Sequence, residues 1–123
     1  MLTVKQLDHV ALHVKDIEQA VAFYRDLLCL PPLPRPAFDF AGAWFRLGGS
    51  QELHLIADRR LPVHSHSRGT HFALAVADLD AWDQHLSPEQ VERSELRLRP
   101  DGARQLFVRD PDGHWIELVQ PPS

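Results

Sequence analysis

The chain has 123 residues, of which 13 are basic, 17 acidic and eight histidine, and 44% are apolar. This length fits one compact domain, or two half-size modules that share a core, and the net charge of −4 argues against a nucleic-acid-binding surface. The longest apolar run, 72–77, is too short to span a bilayer, and the single cysteine, Cys29, excludes an internal disulfide and favours a reducing compartment. We therefore expect a cytoplasmic protein that binds neither nucleic acid nor membrane, with histidine as its unusual residue.

The first half of the chain predicts one helix and four strands. Apolar and polar residues alternate over 7–14, which indicates a half-buried strand, and Asp16 stands where a helix N-cap belongs. The apolar residues that follow are spaced for about three turns of helix. The Pro-rich stretch 31–36 indicates a connection. Further strands are expected near 37–40, 43–47 and 52–57, separated by turns at 41–42 and 48–49.

The second half of the chain predicts the same elements in the same order. Residues 71–76 alternate as the first strand does, and Asp78 begins a shorter helix that stops at Ser87 and Pro88. Strands are expected near 95–99, 104–109 and 114–119, the last two joined by an Asp-Pro-Asp-Gly turn. The predicted order is therefore strand–helix–strand–strand–strand, twice.

An internal repeat supports this reading. Segments 9–18 (HVALHVKDIE) and 71–80 (HFALAVADLD) share five of ten residues at an offset of 62, and 44–56 matches 107–119 at an offset of 63. The order of the two matches is the same, which indicates a tandem duplication. We expect a first βαβββ module at 1–58, a linker at 59–69 and a second module at 70–123, together forming one domain.

Four residues at repeat-equivalent places carry the chemistry, namely His9, His54, His71 and Glu117. Strand alternation turns their side chains away from the apolar face that must cover the helix. A lone strand histidine is more often a surface residue than a ligand, but four equivalent positions on one face favour a divalent-metal site. His13, His85 and His114 lack such support and are expected to be polar surface residues.

At this point the residues resemble the vicinal oxygen chelate superfamily, the group of glyoxalases, bleomycin-resistance proteins and extradiol dioxygenases. The resemblance rests on the His9 and His71 strands, the helix segment AFYRDLL at 22–28 and the ending DPDGHWIEL at 110–118. It implies an α+β fold whose tandem βαβββ modules form a curved, open, barrel-like sheet around one metal ion. It also implies that His9, His71 and Glu117 are recurrent ligands and that His54 is a fourth. The donor set itself, two His with one carboxylate, suits Zn, Ni, Fe(II) or Mn.

The sequence departs from the best-known members of that group. Glyoxalase I commonly has Glu where this chain has His54, so one carboxylate base is missing. Fosfomycin-modifying members usually have Thr at the position of Ala11, and extradiol dioxygenases use only the metal-binding triad. Bleomycin-binding members have the fold without a metal. The resemblance therefore leaves the reaction open.

A substrate wall is expected beside the four ligands. Phe38, Phe40, Trp44, Arg46 and Trp115 are placed toward the presumed cavity and are candidates for substrate binding. The alternatives are that these aromatic residues close a small barrel and that Arg46 is an exposed strand-end arginine. The glyoxalase resemblance implies in addition that Glu117 is catalytic, acting as a proton acceptor.

Two classes of function follow from these patterns. The first is a divalent-metal-dependent enzyme of glyoxalase or dioxygenase type, a lyase, isomerase or dioxygenase, acting on a small molecule through oxygen atoms bound to the metal. The alternative is a protein of the same fold that binds or sequesters a small molecule or antibiotic without catalysis. Because open sheet edges and apolar faces need cover, we expect a two-fold homodimer.

Overall fold

The fold consists of two compact units, Met1–Leu61 and Pro62–Ser123, in a computed structural model that describes residues 1–123. Each unit has a four-stranded mixed sheet and one helix. Both sheets are open, since each has two edge strands. The α+β fold class and the tandem βαβββ modules are thereby confirmed.

The first unit has its N-terminal strand paired with its C-terminal strand. Strand β1 runs parallel to β4. Strand β3 lies between β4 and the edge strand β2 and is antiparallel to both. The helix continues beyond α1 as a π-helical turn. The bounds are β1 His9–His13, α1 Ile17–Ala22, π-helix Phe23–Leu27, β2 Pro32–Leu33, β3 Gly42–Leu47 and β4 Gln51–Ile56.

The second unit has the same topology. Strand β5 runs parallel to β8, which is followed across the sheet by β7 and the short edge strand β6. The bounds are β5 Phe72–Ala75, α2 Leu79–Leu86, β6 Arg97–Leu98, β7 Arg104–Arg109 and β8 Trp115–Gln120.

Strand register confirms the duplication. In the first sheet Ala11 of β1 lies opposite His54 of β4, and in the second sheet Ala73 of β5 lies opposite Glu117 of β8. The two alanines differ by the offset of 62 and the two polar residues by the offset of 63. His54 and Glu117 are therefore equivalent positions in the two sheets.

Burial in the first unit follows the predicted alternation. Leu53 and Leu55 of β4 are buried while His54 between them is half-buried, and Leu12 is buried while its neighbours on β1 are exposed. Because helices pack on the apolar face, the polar candidates lie on the opposite face. The second unit buries Leu79, Leu86, Leu106, Val108, Ile116 and Leu118, but its burial does not alternate, since Phe107 and Glu117 between them are buried as well.

The two helices begin where the sequence predicts. Asp16 accepts hydrogen bonds from the backbone N–H groups of Glu18 and Gln19, and Asp78 accepts one from Ala81. The π-helical turn places residues five apart on one side, so that Phe23 and Leu28 are both buried. No helix in the structure is long and apolar enough to cross a bilayer.

The strand predicted at 37–40 is wrong, because the second strand of the first module lies in the Pro-rich stretch. Pro32 and Leu33 pair with Phe45 and Trp44 of β3. A proline is tolerated there since an edge strand leaves one row of backbone groups unpaired. Residues 37–40 instead lie outside any strand: the N–H of Phe38 donates to the carbonyl oxygen of Pro36 at 2.8 Å, and a bend follows at 39–40.

The turn predicted at 41–42 is also wrong, since Gly42 is the first residue of β3. A Cβ at this position would lie 2.3 Å from the carbonyl oxygen of Leu55, on the neighbouring strand β4. The glycine therefore marks a close approach of two backbones, which a sequence pattern reads as a turn.

Candidate metal centre

The second unit brings His71 and Glu117 into direct contact. His71 directly precedes β5 and Glu117 lies on the adjacent strand β8, and their Nε2 and Oε1 atoms are 3.1 Å apart. The Glu117 side chain is 7% exposed and that of His71 is 22% exposed. Burying a carboxylate costs free energy unless a cation or hydrogen-bond donors lie beside it, so the neighbours of Glu117 matter.

Nδ1, the other ring nitrogen of His71, contacts two backbone carbonyl oxygens. Nδ1 lies 3.2 Å from the carbonyl oxygen of His66 and 3.1 Å from that of Gly69. Carbonyl oxygens only accept, so in the neutral ring Nδ1 carries the hydrogen and the lone pair of Nε2 points at the carboxylate. This is the usual anchoring of a metal-ligating histidine.

The chemistry of this pair fits a divalent metal ion. Nε2 of His71 and Oε1 of Glu117 are 3.1 Å apart, so the two atoms could bind one ion together. An imidazole nitrogen with a carboxylate oxygen is moreover a donor set that Zn, Ni, Mn and Fe(II) accept.

The second oxygen of Glu117 is engaged elsewhere. The amide of Gln105 donates to Oε2 at 3.0 Å, and Nη1 of Arg99 lies 3.9 Å from the same oxygen. Arg99 is itself bound by Asp101 through two hydrogen bonds of 2.9 and 2.7 Å. The hydrogen bond from Arg99, and then that from the backbone of Ala103, lower the pKa of Asp101 from 3.8 to about 2.

The first unit brings together His9, His54 and Trp44 as a stack of rings. His54 lies between them, with its ring centre 3.9 Å from that of Trp44 and 4.2 Å from that of His9. The stacking follows from the sheet register, which sets Trp44 opposite His54. Both histidines therefore have defined orientations on the face away from the helix.

A carboxylate anchors each of these two rings. Nδ1 of His9 lies 2.7 Å from Oδ2 of Asp8, and Nε2 of His54 lies 2.9 Å from Oε1 of Glu52. In the neutral rings the lone pair is then on Nε2 of His9 and on Nδ1 of His54. His9 is thus anchored like its repeat equivalent His71, while His54 presents its other nitrogen.

Neither unit alone gathers three or more His, Cys, Asp or Glu side chains in an arrangement that could hold a metal ion. The second unit contributes the imidazole–carboxylate pair and the first unit contributes two anchored imidazoles. His9, His54, His71 and Glu117 as one ligand set therefore remain a prediction.

The expected substrate residues of the first unit form an aromatic cluster with the ring stack. Phe38 and Phe40 stack at 5.1 Å, and Phe38 lies 6.1 Å from Trp44. The guanidinium of Arg35 lies 4.8 and 4.9 Å from the two phenyl rings and donates to the carbonyl oxygen of Phe40. Phe38 and Phe40 are 46% and 44% exposed, so this cluster presents apolar surface.

The remaining substrate candidates lie among charged neighbours. Nη1 of Arg46 is 4.0 Å from Oε2 of Glu52. Trp115 lies under the guanidinium of Arg109 at 5.6 Å, and Arg109 is also paired with Glu92 at 2.9 Å. Part of the charge of each arginine is thereby balanced within the unit.

Besides Glu52, which lies two residues before His54 on the same strand, sequence reasoning missed three residues that position the candidates, namely Asp8, Ser65 and Gln105. Ser65 is buried and accepts a hydrogen bond from the N–H of Trp115 at 2.8 Å, while its hydroxyl donates to the carbonyl oxygen of Thr70 at 2.9 Å. It thus ties the loop that anchors His71 to the beginning of β8. Asp8 could have been found as the polar residue adjacent to His9, but the other two contacts are long-range and have no sequence signal.

Comparison with known proteins agrees with this fold. Residues 6–118 match the model of the Glyoxalase/Bleomycin resistance protein/Dioxygenase superfamily. The chain is 26% identical to protein YwbC of Bacillus subtilis, covering 94% of this chain and 98% of YwbC. It is 28% identical to metallothiol transferase FosB of Staphylococcus epidermidis, covering 95% and 82%. A glyoxalase family protein from Bacillus anthracis has a similar structure, with a TM-score of 0.83 and 27% identity over 98% of both chains.

The protein therefore belongs to the Glyoxalase/Bleomycin resistance protein/Dioxygenase superfamily. Homologues in this superfamily are generally dependent on divalent metals and act on small molecules. The resemblance inferred from the His9 and His71 strands and the 110–118 ending is confirmed.

Proposed function

We propose that this protein is a divalent-metal-dependent enzyme that acts on a small molecule through oxygen atoms bound to the metal, as a lyase, isomerase or dioxygenase. One observation carries the proposal. Nδ1 of His71 is anchored on backbone carbonyls and its Nε2 lies 3.1 Å from Oε1 of Glu117 at a largely buried position, so both ring nitrogens face oxygen acceptors. A metal ion bound by Nε2 and Oε1 would take the place of the proton between them.

The proposed ligands are His71 and Glu117 of the second unit and His9 and His54 of the first, acting as one domain. Bound there, Zn, Ni, Fe(II) or Mn would act as a Lewis acid that polarises the oxygen atoms of the substrate. Glu117 is the proposed catalytic residue. Its Oε2 is hydrogen-bonded to Gln105, so Oε1, which faces His71, is the oxygen that would bind the metal and that would accept a proton once released from it.

The proposed substrate residues are the aromatic cluster and Arg46 of the first unit and Trp115 of the second. Phe38, Phe40 and Trp44 supply flat apolar surface next to His54, while Arg46 and Trp115 supply a cation and a further ring. Small-molecule sites commonly combine apolar walls with a few polar groups. The same exposed rings favour the second candidate function, a protein that binds a flat small molecule without converting it.

We further propose a two-fold homodimer in the cytoplasm. Met1, Leu2, Val4 and Leu7 are apolar and more than 60% exposed, and each sheet has open edges that a second copy could cover. The exposed thiol of Cys29 is compatible with a reducing compartment. Sedimentation at micromolar concentration should give twice the chain mass of 14.0 kDa, and a monomer would contradict the dimer.

Elemental analysis of untagged protein, purified without chelators, is the test that distinguishes the two candidate functions. An enzyme of the proposed kind should carry close to one divalent ion per chain, and turnover of small oxygen-containing compounds should vanish with EDTA and return with that metal. Tight binding of a flat ligand by protein that neither contains nor takes up metal would support the sequestering function and reject the enzyme.

A further inference from the structure

We infer that Gln105 is a positioning residue that makes Glu117 a one-oxygen metal ligand. The inference rests on the proposed function, because it assigns a role toward the metal to a residue that is not itself a ligand. It concerns how Glu117 is held, which the ligand set alone leaves open.

The sheet places Gln105 beside Glu117. On β7, Phe107 lies opposite Glu117 and Gln105 lies two residues earlier, so Gln105 is the diagonal neighbour on the same face. Its Nε2 atom donates to Oε2 of Glu117 at 3.0 Å, while Oε1 lies toward His71. A carboxylate with one oxygen held in this way presents the other alone, since turning both oxygens to an ion would break the amide hydrogen bond.

Arg99 does not replace Gln105 in this role. Its Nη1 atom is 3.9 Å from Oε2 of Glu117, which is beyond hydrogen-bond distance. Its Nε and Nη2 atoms are directed to Asp101 at 2.9 and 2.7 Å. Arg99 therefore adds positive charge near Glu117, and the directional contact comes from Gln105.

The duplication supports a role toward the ligand. At the offset of 63, Gln105 corresponds to Gly42, a position without a side chain, and Glu117 corresponds to His54. In the first unit the ligand candidate is an imidazole, and its partner is the carboxylate of Glu52 at 2.9 Å. The carboxylate candidate Glu117 is thus held by a hydrogen-bond donor, the amide of Gln105. The imidazole candidate His54 is held by an acceptor, the carboxylate of Glu52.

The test compares Gln105→Met with the matched control Gln120→Met. Both changes remove an amide at similar volume, but Oε1 of Gln120 accepts from the N–H of Leu79 at the beginning of α2, at 2.9 Å, so its role is structural. Metal-free protein is titrated with Co²⁺, and the Kd, the visible absorption spectrum of the bound Co²⁺ and the Tm of the metal-free protein are measured.

We expect Gln105→Met to raise the Kd for Co²⁺ about 10–100-fold. The visible absorbance should fall, because Glu117 is then free to bind through both oxygens and the coordination number rises. Gln120→Met should lower the Tm and leave the Kd and the spectrum unchanged. Gln105→Asn keeps an amide that is one methylene too short, and the same outcome is expected of it should the methionine variant not fold.

Three results would overturn the inference. A Gln105→Met protein with the wild-type Kd and spectrum would overturn it while leaving the proposed metal site intact. Equal weakening of Co²⁺ binding by Gln120→Met would show that loss of stability, and not positioning, is responsible. Wild-type protein that binds no Co²⁺ would overturn the proposed function together with this inference.

Discussion

The histidines of this protein differ in which ring nitrogen is held by a neighbouring acceptor. His9 and His71 have Nδ1 held by Asp8 or by backbone carbonyls, which leaves Nε2 as the donor of an electron pair. His85, in contrast, packs edge-on against Trp82 on α2, and Nε2 of His13 lies 3.1 Å from the carbonyl oxygen of Ala57. Anchoring through Nδ1 therefore marks His9 and His71, whereas His54 is anchored through Nε2, as His13 is.

The low pKa of Asp101 leads to a prediction about acid stability. Hydrogen bonds from Arg99 and from the backbone of Ala103 lower this pKa to about 2 in the folded chain, below its usual 3.8. The stabilisation from this carboxylate is therefore complete above pH 3.8 and is lost as the pH falls through about 2. The difference in Tm between wild type and Asp101→Asn should be constant at higher pH and shrink over this window. A difference independent of pH would contradict the assignment.

At the scale of elements, the alternation of apolar and polar residues predicts the strands that carry the site. How those strands pair depends on how closely their backbones approach one another. The predicted strands over 43–47, 52–57, 104–109 and 114–119 all occur, because each has apolar residues at every second position. The strand at 32–33 was not predicted, since its two residues include a proline. This strand exists because it pairs with β3, and no local pattern in residues 32–33 indicates that pairing.

Gly42 provides a test of that close packing. An alanine Cβ would lie 2.3 Å from the carbonyl oxygen of Leu55, so Gly42→Ala must push β3 and β4 apart. We expect a loss of about 1–3 kcal/mol in the free energy of unfolding, measured with urea.

The matched control is Gly49→Ala, in the turn between the same strands. Its Cβ would meet its nearest neighbour, Oε1 of Gln51, at 3.7 Å, which is ordinary contact. This change should be neutral or stabilise by about 0.4–1 kcal/mol, through the lower entropy of the unfolded chain. Equal destabilisation by both changes would reject the assigned role of Gly42.

At the scale of the whole molecule, the proposed metal ion, with ligands from both modules, should stabilise the entire chain. A ligand at 100 times its Kd adds about 2.7 kcal/mol to the free energy of unfolding, which raises the Tm. His9→Ala in the first module and His71→Ala in the second should each reduce this rise sharply, and His85→Ala should leave it unchanged. Thermal melts with and without Zn²⁺, and after addition of EDTA, measure the effect.

A different outcome would separate the modules. If His9→Ala retained the full rise in Tm while His71→Ala abolished it, the ion would be held by the second module alone. The proposal of one domain with a common ligand set would then be wrong, although the pairing of His71 with Glu117 would still stand.

The sequence by itself determined the two βαβββ modules, the faces of their strands and the family, because period-two alternation, helix caps and an internal repeat are local signals. It also singled out the four ligand candidates, since equivalent places in a duplication must occupy equivalent places in two sheets. Only the tertiary structure decided which atoms meet: Nε2 of His71 and Oε1 of Glu117, the amide of Gln105 and Oε2 of Glu117, and the hydroxyl of Ser65 and the N–H of Trp115. These contacts join residues 12 to 50 positions apart, and strand register and loop packing, which no local pattern encodes, create them.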